Sequence, residues 1–131
     1  MKKEIIICAI IVITILVGNQ LTQNYVKESV SELLKPLIEV REEILNEPTK
    51  ESLKELEKKT SKIYEIWESK HNTLAYFIEH DELEKIETQL TAVKSDIETK
   101  EKEEAIMEID KGAFLLKHME DKYAFNLQNV Y

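Results

Sequence analysis

The sequence predicts an all-α protein: an N-terminal transmembrane helix followed by an antiparallel, up-and-down bundle of about four helices. Three observations carry that prediction. Thirteen apolar residues, Ile5 to Val17, follow a short charged start and give way at once to polar, acidic sequence. Only two Gly and two Pro occur in 131 residues, amid abundant Glu, Lys, Leu and Ile, a composition that suits long helices and disfavours sheets. Apolar residues downstream recur in alternating steps of three and four, and strict apolar–polar alternation persists nowhere beyond a few positions.

The first element, residues 1–21, reads as a membrane anchor, and residues 22–131 as an extracytoplasmic bundle. A positively charged start with a short apolar region also fits a secretory signal peptide. Cleavage, however, needs small residues at the last and third-last positions before the cut. Gly18 serves as the last, but Leu16 then occupies the other position. Cys8 is not preceded by a small residue, which disfavours a lipoprotein anchor. The expectation is therefore an uncleaved signal anchor, with secretion after cleavage as the alternative. Residues 4–21 contact the bilayer in this reading, as a helix somewhat shorter than the ~30 Å hydrocarbon core. Lys2 and Lys3 flank the apolar run on its N-terminal side, and the next lysine is Lys27. The positive-inside rule then places the N-terminus in the cytoplasm and the bundle outside.

The bundle helices follow from spacing. Val26, Val30, Leu33, Leu37, Val40 and Ile44 form a heptad seam, which Leu34, Ile38 and Leu45 widen to a bundle-facing side. Pro36 lies inside this seam and should kink the helix near Glu32–Pro36. Asn46-Glu47-Pro48-Thr49 ends it, with Thr49 placed to cap the next helix. The second seam is Leu53, Leu56, Thr60, Ile63, Trp67, His71, Leu74 and Ile78. Near His80 the pattern restarts, and Asp81 with Glu84 reads as a capping box ahead of a third seam, Leu83, Ile86, Leu90, Val93 and Ile97. Glu101, Glu103 and Glu104 crowd the first turn of a fourth helix, where the macrodipole favours acids. Its seam is Ala105, Ile109, Gly112, Leu116, Met119 and Tyr123, with Leu127 near the end. Short loops between these segments force antiparallel neighbours.

Charge narrows the partners. Once Lys2, Lys3 and Glu4 are set aside, 16 basic residues face 25 acidic ones in the remaining chain. Such a surface repels nucleic acid and anionic headgroups, so no nucleic-acid partner is expected. With Arg41 the one arginine, bidentate phosphate recognition has little equipment. The single cysteine, Cys8, lies within the apolar run, so stability comes from packing and not from an intrachain disulfide.

Several stretches resemble a known family. Trp67, then Ile78-Glu79-His80-Asp81-Glu82-Leu83-Glu84-Lys85-Ile86, then Ile97-Glu98-Thr99-Lys100-Glu101-Lys102-Glu103-Glu104-Ala105, then Phe114-Leu115-Leu116-Lys117-His118-Met119 with Asn129 are similar to the core of the bacterial family called domain of unknown function 4363. The resemblance implies a short, membrane-anchored helical protein of low-GC Gram-positive bacteria. It implies no activity. Members look as though they are often encoded beside a multi-pass membrane protein, which implies a membrane complex. Pro36 departs from the pattern.

Candidate chemistry is confined to the histidines. If the last two helices turn near Lys100–Glu101, residues facing one another across the hairpin have numbers summing to about 201. His118 then lies opposite Leu83, one turn from His80 and Asp81. Two imidazoles with nearby carboxylates suit Zn²⁺, yet the local spacing is not a metal signature. The expectation is a hydrogen-bonded His80–His118 pair tying the corner before the third helix to the fourth, with no bound metal or other cofactor. Trp67 is expected in the core. Tyr64, Tyr76 and Phe77 fall outside the strict seam and read either as packing against the first helix or as a partner-facing patch. No serine has a His–Asp arrangement or Gly-rich elbow around it, so nucleophilic catalysis has no support. Two function classes follow: a non-enzymatic anchored protein that binds another membrane or envelope protein, and a ligand- or metal-binding sensor using His80 and His118.

Overall fold

The computed structural model describes residues 1–46 and 48–128, and side chains as far as Ala124. Glu47, the Leu127 side chain and Asn129 therefore lie outside the described residues. Four helices follow in order: α1 Lys2–Leu45, α2 Lys50–Leu74, α3 His80–Glu98 and α4 Lys102–Gln128. Each helix rests on its neighbours in the chain, and α4 closes back on α1. Among the described residues neither diagonal pair brings its backbones into close approach. The result is an up-and-down ring around one core, as short connections dictate.

α1 is 44 residues long, about 66 Å at 1.5 Å per residue. Its two halves meet different surroundings. From Val26 onward the seam Val26, Val30, Leu33, Leu37, Val40 and Ile44 is buried. Before it, Ile5, Ile6, Ile7, Ile10, Ile11, Ile13 and Val17 are all more than half exposed. By length and composition α1 is long and apolar enough to cross a membrane, and none of its most apolar window is covered by protein. Within it, the Thr14 hydroxyl donates to the Ile10 carbonyl at 2.8 Å, so its one hydroxyl is satisfied along the helix, as an apolar environment demands. The helix continues without a break from Ile5 through Gly18 to the bundle, and Pro36 does not interrupt it. Of the residues expected to widen the seam, Leu34 packs on the core, whereas Ile38 and Leu45 are each half exposed. The buried stripe is the narrower heptad seam because α1 contacts only α2 and α4.

Thr49 caps α2 as its sequence position suggests. Its side chain accepts from the Ser52 amide, and Ser52 Oγ accepts from the Thr49 amide at 2.8 Å, a reciprocal capping box. In α2, Leu56, Thr60, Ile63, Trp67 and Leu74 are buried. Thr60 is accommodated by donating its hydroxyl to the Leu56 and Glu57 carbonyls. Half-buried His71 meets the Trp67 ring edge-on, with centroids 5.6 Å apart.

The start of α3 differs from expectation. Glu79, not Asp81, is its N-cap residue, and no side chain caps it. The corner is instead closed by backbone: the Leu74 carbonyl accepts from both the Phe77 and Ile78 amides at 2.9 Å. That turn, with Ile78 drawn into the core, starts the helix early and leaves Asp81 within the first turn, where it can still favour the helix dipole. The seam Leu83, Ile86, Leu90, Val93 and Ile97 is buried throughout.

Between α3 and α4 the chain turns at Lys100, whose φ is 62°. The Glu101 amide bonds the Asp96 carbonyl at 2.8 Å and the Lys100 amide bonds that of Ile97 at 3.2 Å. These are the paired bonds of a Schellman motif, with lysine where glycine is usual. In α4 Ala105, Ile109, Gly112, Leu116 and Met119 are buried, and Tyr123 packs against the core. A Cβ on Gly112 would sit 3.6 Å from Gln89 Cβ, ordinary contact, so α3 and α4 approach closely there without requiring glycine.

Candidate functional site

The hairpin register expected from sequence is realised, but other side chains use it. Lys122 on α4 reaches across to the corner, with Nζ 2.6 Å from Glu82 Oε1 and 3.8 Å from Glu79 Oε1. The hydrogen bond to Glu82, reinforced by both carboxylates, raises the Lys122 ammonium above its ordinary 10.5. His80 and His118, by contrast, are both exposed and make no hydrogen bond among the described residues. The His118 ring lies parallel to that of Phe114 one turn back, at 6.0 Å. The expectation of a hydrogen-bonded histidine pair is corrected accordingly. Register arithmetic gives height along the hairpin, whereas the face a residue occupies comes from the helical phase. His118 falls between the buried seam residues Leu116 and Met119 and looks outward. Among the described residues no group of three or more His, Cys, Asp or Glu side chains is arranged to hold a metal. Asp81 does not join the histidines; it lines a different feature.

That feature is a shallow groove of about 730 Å³ between α3 and α4. Phe114 and Leu115 supply its apolar surface, and Asp81, Glu84, Asp110 and Lys111 are among its polar residues. Phe114 is 70% exposed. On the far side of α4, Arg41 of α1 donates through Nε to Asp110 Oδ1 at 2.8 Å, which sets the register of α1 against α4.

Two further ion pairs set α1 against α2. Lys59 bonds Glu43, which raises the lysine's pKa. Lys70 sits 3.3 Å from Glu32 and 5.3 Å from the centre of the Tyr25 ring. Tyr64 is half-buried and turned to α3, not α1: its hydroxyl donates to Glu87 at 3.2 Å, and burial pushes its pKa up. Tyr76 and Phe77 stay outside, 86% and 39% exposed, with ring centroids 6.5 Å apart. At the opposite end, burial followed by Glu108 and Glu104 pushes the Asp96 carboxyl above its ordinary 3.8.

Lys122 was the residue the sequence reading missed. The signal is present in the numbering, since 122 and 79 sum to the hairpin's own register, but a lone lysine among many carries no distinguishing pattern. Among the described residues the side chains bring together ion pairs and a groove.

Fold and surface define a closed four-helix bundle carried on a helix that is long and apolar enough to cross a membrane. The chain belongs to the family described as Domain of unknown function (DUF4363), whose model matches residues 20–130. The match begins where the apolar stretch ends and spans the bundle. No curated protein and no solved structure matches the chain. Many apolar residues in the stretches that resemble the family, such as Trp67, Leu83, Ile86, Ala105, Leu116 and Met119, are core residues. The family likeness therefore describes a fold and carries no activity with it.

Proposed function

We propose that this chain is a non-enzymatic, membrane-anchored protein whose extracytoplasmic bundle binds another membrane or envelope protein. The observation that carries the reading is the continuity of α1. One helix is apolar and uncovered at its start and forms one side of the bundle core at its end. A continuous helix of this kind holds a bundle at a set height and orientation above a bilayer, which suits a docking partner and is unnecessary for a freely diffusing domain. Lys2 and Lys3 favour a cytoplasmic N-terminus. The exposure of both His80 and His118 favours this reading over the sensor alternative.

The test is cross-linking of the full chain in its native membranes, followed by purification in mild detergent. Recovery of one integral membrane or envelope protein in stoichiometric amount supports the proposal. Recovery of the chain alone, with the bundle folded, contradicts it.

A further inference from the structure

We infer that the corner between α2 and α3, through Tyr76 and Phe77, is a second membrane contact that rests in the headgroup layer beside α1. This rests on the reading of α1 as a membrane anchor and adds to it a docking surface on the bundle itself.

The argument is one of level. α2 runs antiparallel to α1, and Lys70 contacts both Tyr25 and Glu32, so it lies at a height between them. α2 continues four residues further, to Leu74, which moves the chain about 6 Å toward the N-terminal end of α1. The corner therefore lies beside residues just before Tyr25, within about one 5.4 Å turn of Leu21, the last residue of the anchor segment. The segment Gly18-Asn19-Gln20-Leu21-Thr22-Gln23-Asn24-Tyr25 carries no charge, and the first charged residue beyond it is Lys27. Beyond Leu21, the residues Thr22 to Tyr25 rise about 6 Å, which matches the headgroup layer, roughly 5–7 Å deep on each face of a bilayer. Tyr76 and Phe77 are thus exposed at the height of that layer.

Their presentation is fixed. Leu74 and Ile78, on either side, are buried, and the Leu74 carbonyl holds the Phe77 and Ile78 amides. The corner is tied to α4 by Lys122 through Glu79 and Glu82. The amphipathic Tyr76 ring at this height is of the kind that forms interfacial belts, and Phe77 beside it adds apolar area. Phe114 is also exposed, but Arg41–Asp110 places its part of α4 beside the middle of the bundle portion of α1, well away from the apolar stretch. The charges at the corner are Glu79, Asp81 and Glu82 with Lys122 paired among them, a net acidic set, so the contact depends on ring burial and not on attraction to anionic lipid. Zwitterionic phosphatidylcholine is the fitting surface.

The full chain in phosphatidylcholine vesicles tests this with added tryptophans and lipids carrying a quencher at a shallow or a deep acyl position. Trp67 stays in place as a constant background, since it is fully buried. Tyr76→Trp should lose most of its added emission to the shallow quencher and less to the deep one. Ile11→Trp should respond most to the deep quencher, and Asn46→Trp, at the opposite end of the bundle, to neither. If Ile11→Trp is quenched while Tyr76→Trp behaves like Asn46→Trp, the corner stands clear of the bilayer and the inference is wrong. If Ile11→Trp is also unquenched, the anchor reading falls first and the inference with it.

Discussion

The two halves of α1 share one backbone conformation and a supply of Ile, Leu and Val, yet they obey different rules. From Ile5 to Val17 the apolar side chains surround the helix and stay uncovered by protein. From Val26 to Ile44 they occupy one stripe, and that stripe is buried. Apolar content alone thus does not say what a helix packs on. Distribution around the axis does: a stripe answers to neighbouring helices, and an unbroken cylinder answers to lipid. The crossover falls in the uncharged segment Gly18–Tyr25, where one helix passes between two solvents without a break.

The largest effect should separate the halves most cleanly. Trp67→Ala removes a fully buried aromatic ring and should cost roughly 3–5 kcal/mol, a large share of a small domain's stability. Ile11→Ala, removing an apolar side chain that protein does not cover, should leave the bundle's melting temperature in detergent unchanged. Thermal melts of the two variants measure the contrast, and equal losses would mean that the outer half packs on the bundle.

The glycines offer a second contrast. A Cβ at Gly18 meets nothing within 4 Å, and one at Gly112 meets only Gln89 at ordinary distance. Both replacements by alanine should gain helix propensity, up to about 1 kcal/mol. Only the gain at Gly112 should appear in the bundle's unfolding transition. Gly18→Ala should stiffen the crossover without moving that transition.

Lys122→Ala tests the tie between corner and α4. The pair is open to solvent, so a small loss is expected in denaturant titration at low salt, and a smaller one at high salt. Because the folded ammonium is raised above 10.5, its contribution is complete below that value and is lost as pH rises through the folded pKa. The wild type and variant should therefore converge in strongly alkaline solution.

Asp96 should give the smallest effect, with the same pH sign as Lys122 but in the acidic range. Its carboxyl is raised above 3.8 by burial and then by Glu108 and Glu104. The favourable contribution of the protonated form is complete below 3.8 and disappears as pH rises through the folded pKa. At neutral pH the charged form is a mild liability, so Asp96→Asn should raise stability by roughly 0.2–0.5 kcal/mol after solvent screening. That gain should vanish in acid. Melting curves across the acidic range provide the check.

Most of the fold was legible because burial in a bundle is a matter of period. Every apolar residue of the α1 and α3 seams is buried where the spacing put it, and Thr49 caps α2 as its position suggested. Less legible were features that depend on phase or on backbone. Ile38 and Leu45 read as core, but the ring topology gives α1 too few neighbours to cover them. Asp81 and Glu84 have capping-box spacing, yet backbone bonds to Leu74 started the helix before Asp81 was needed. His80 and His118 share a height and not a bond, while Lys122 makes the link expected of them. The aromatic corner was visible as Tyr76-Phe77, but only the antiparallel placement of α2 against α1 gave its height.

The central claim is that α1 is one continuous helix joining a lipid-facing half to a protein-facing half. Hydrogen exchange of the full chain in phosphatidylcholine nanodiscs tests it most directly, read at the amides from Gly18 to Tyr25. Continuity predicts protection there within the range of the exposed side of Val26–Leu45. Exchange at the rate of an unstructured peptide would contradict it, leaving an anchor and a bundle joined by a loose tether.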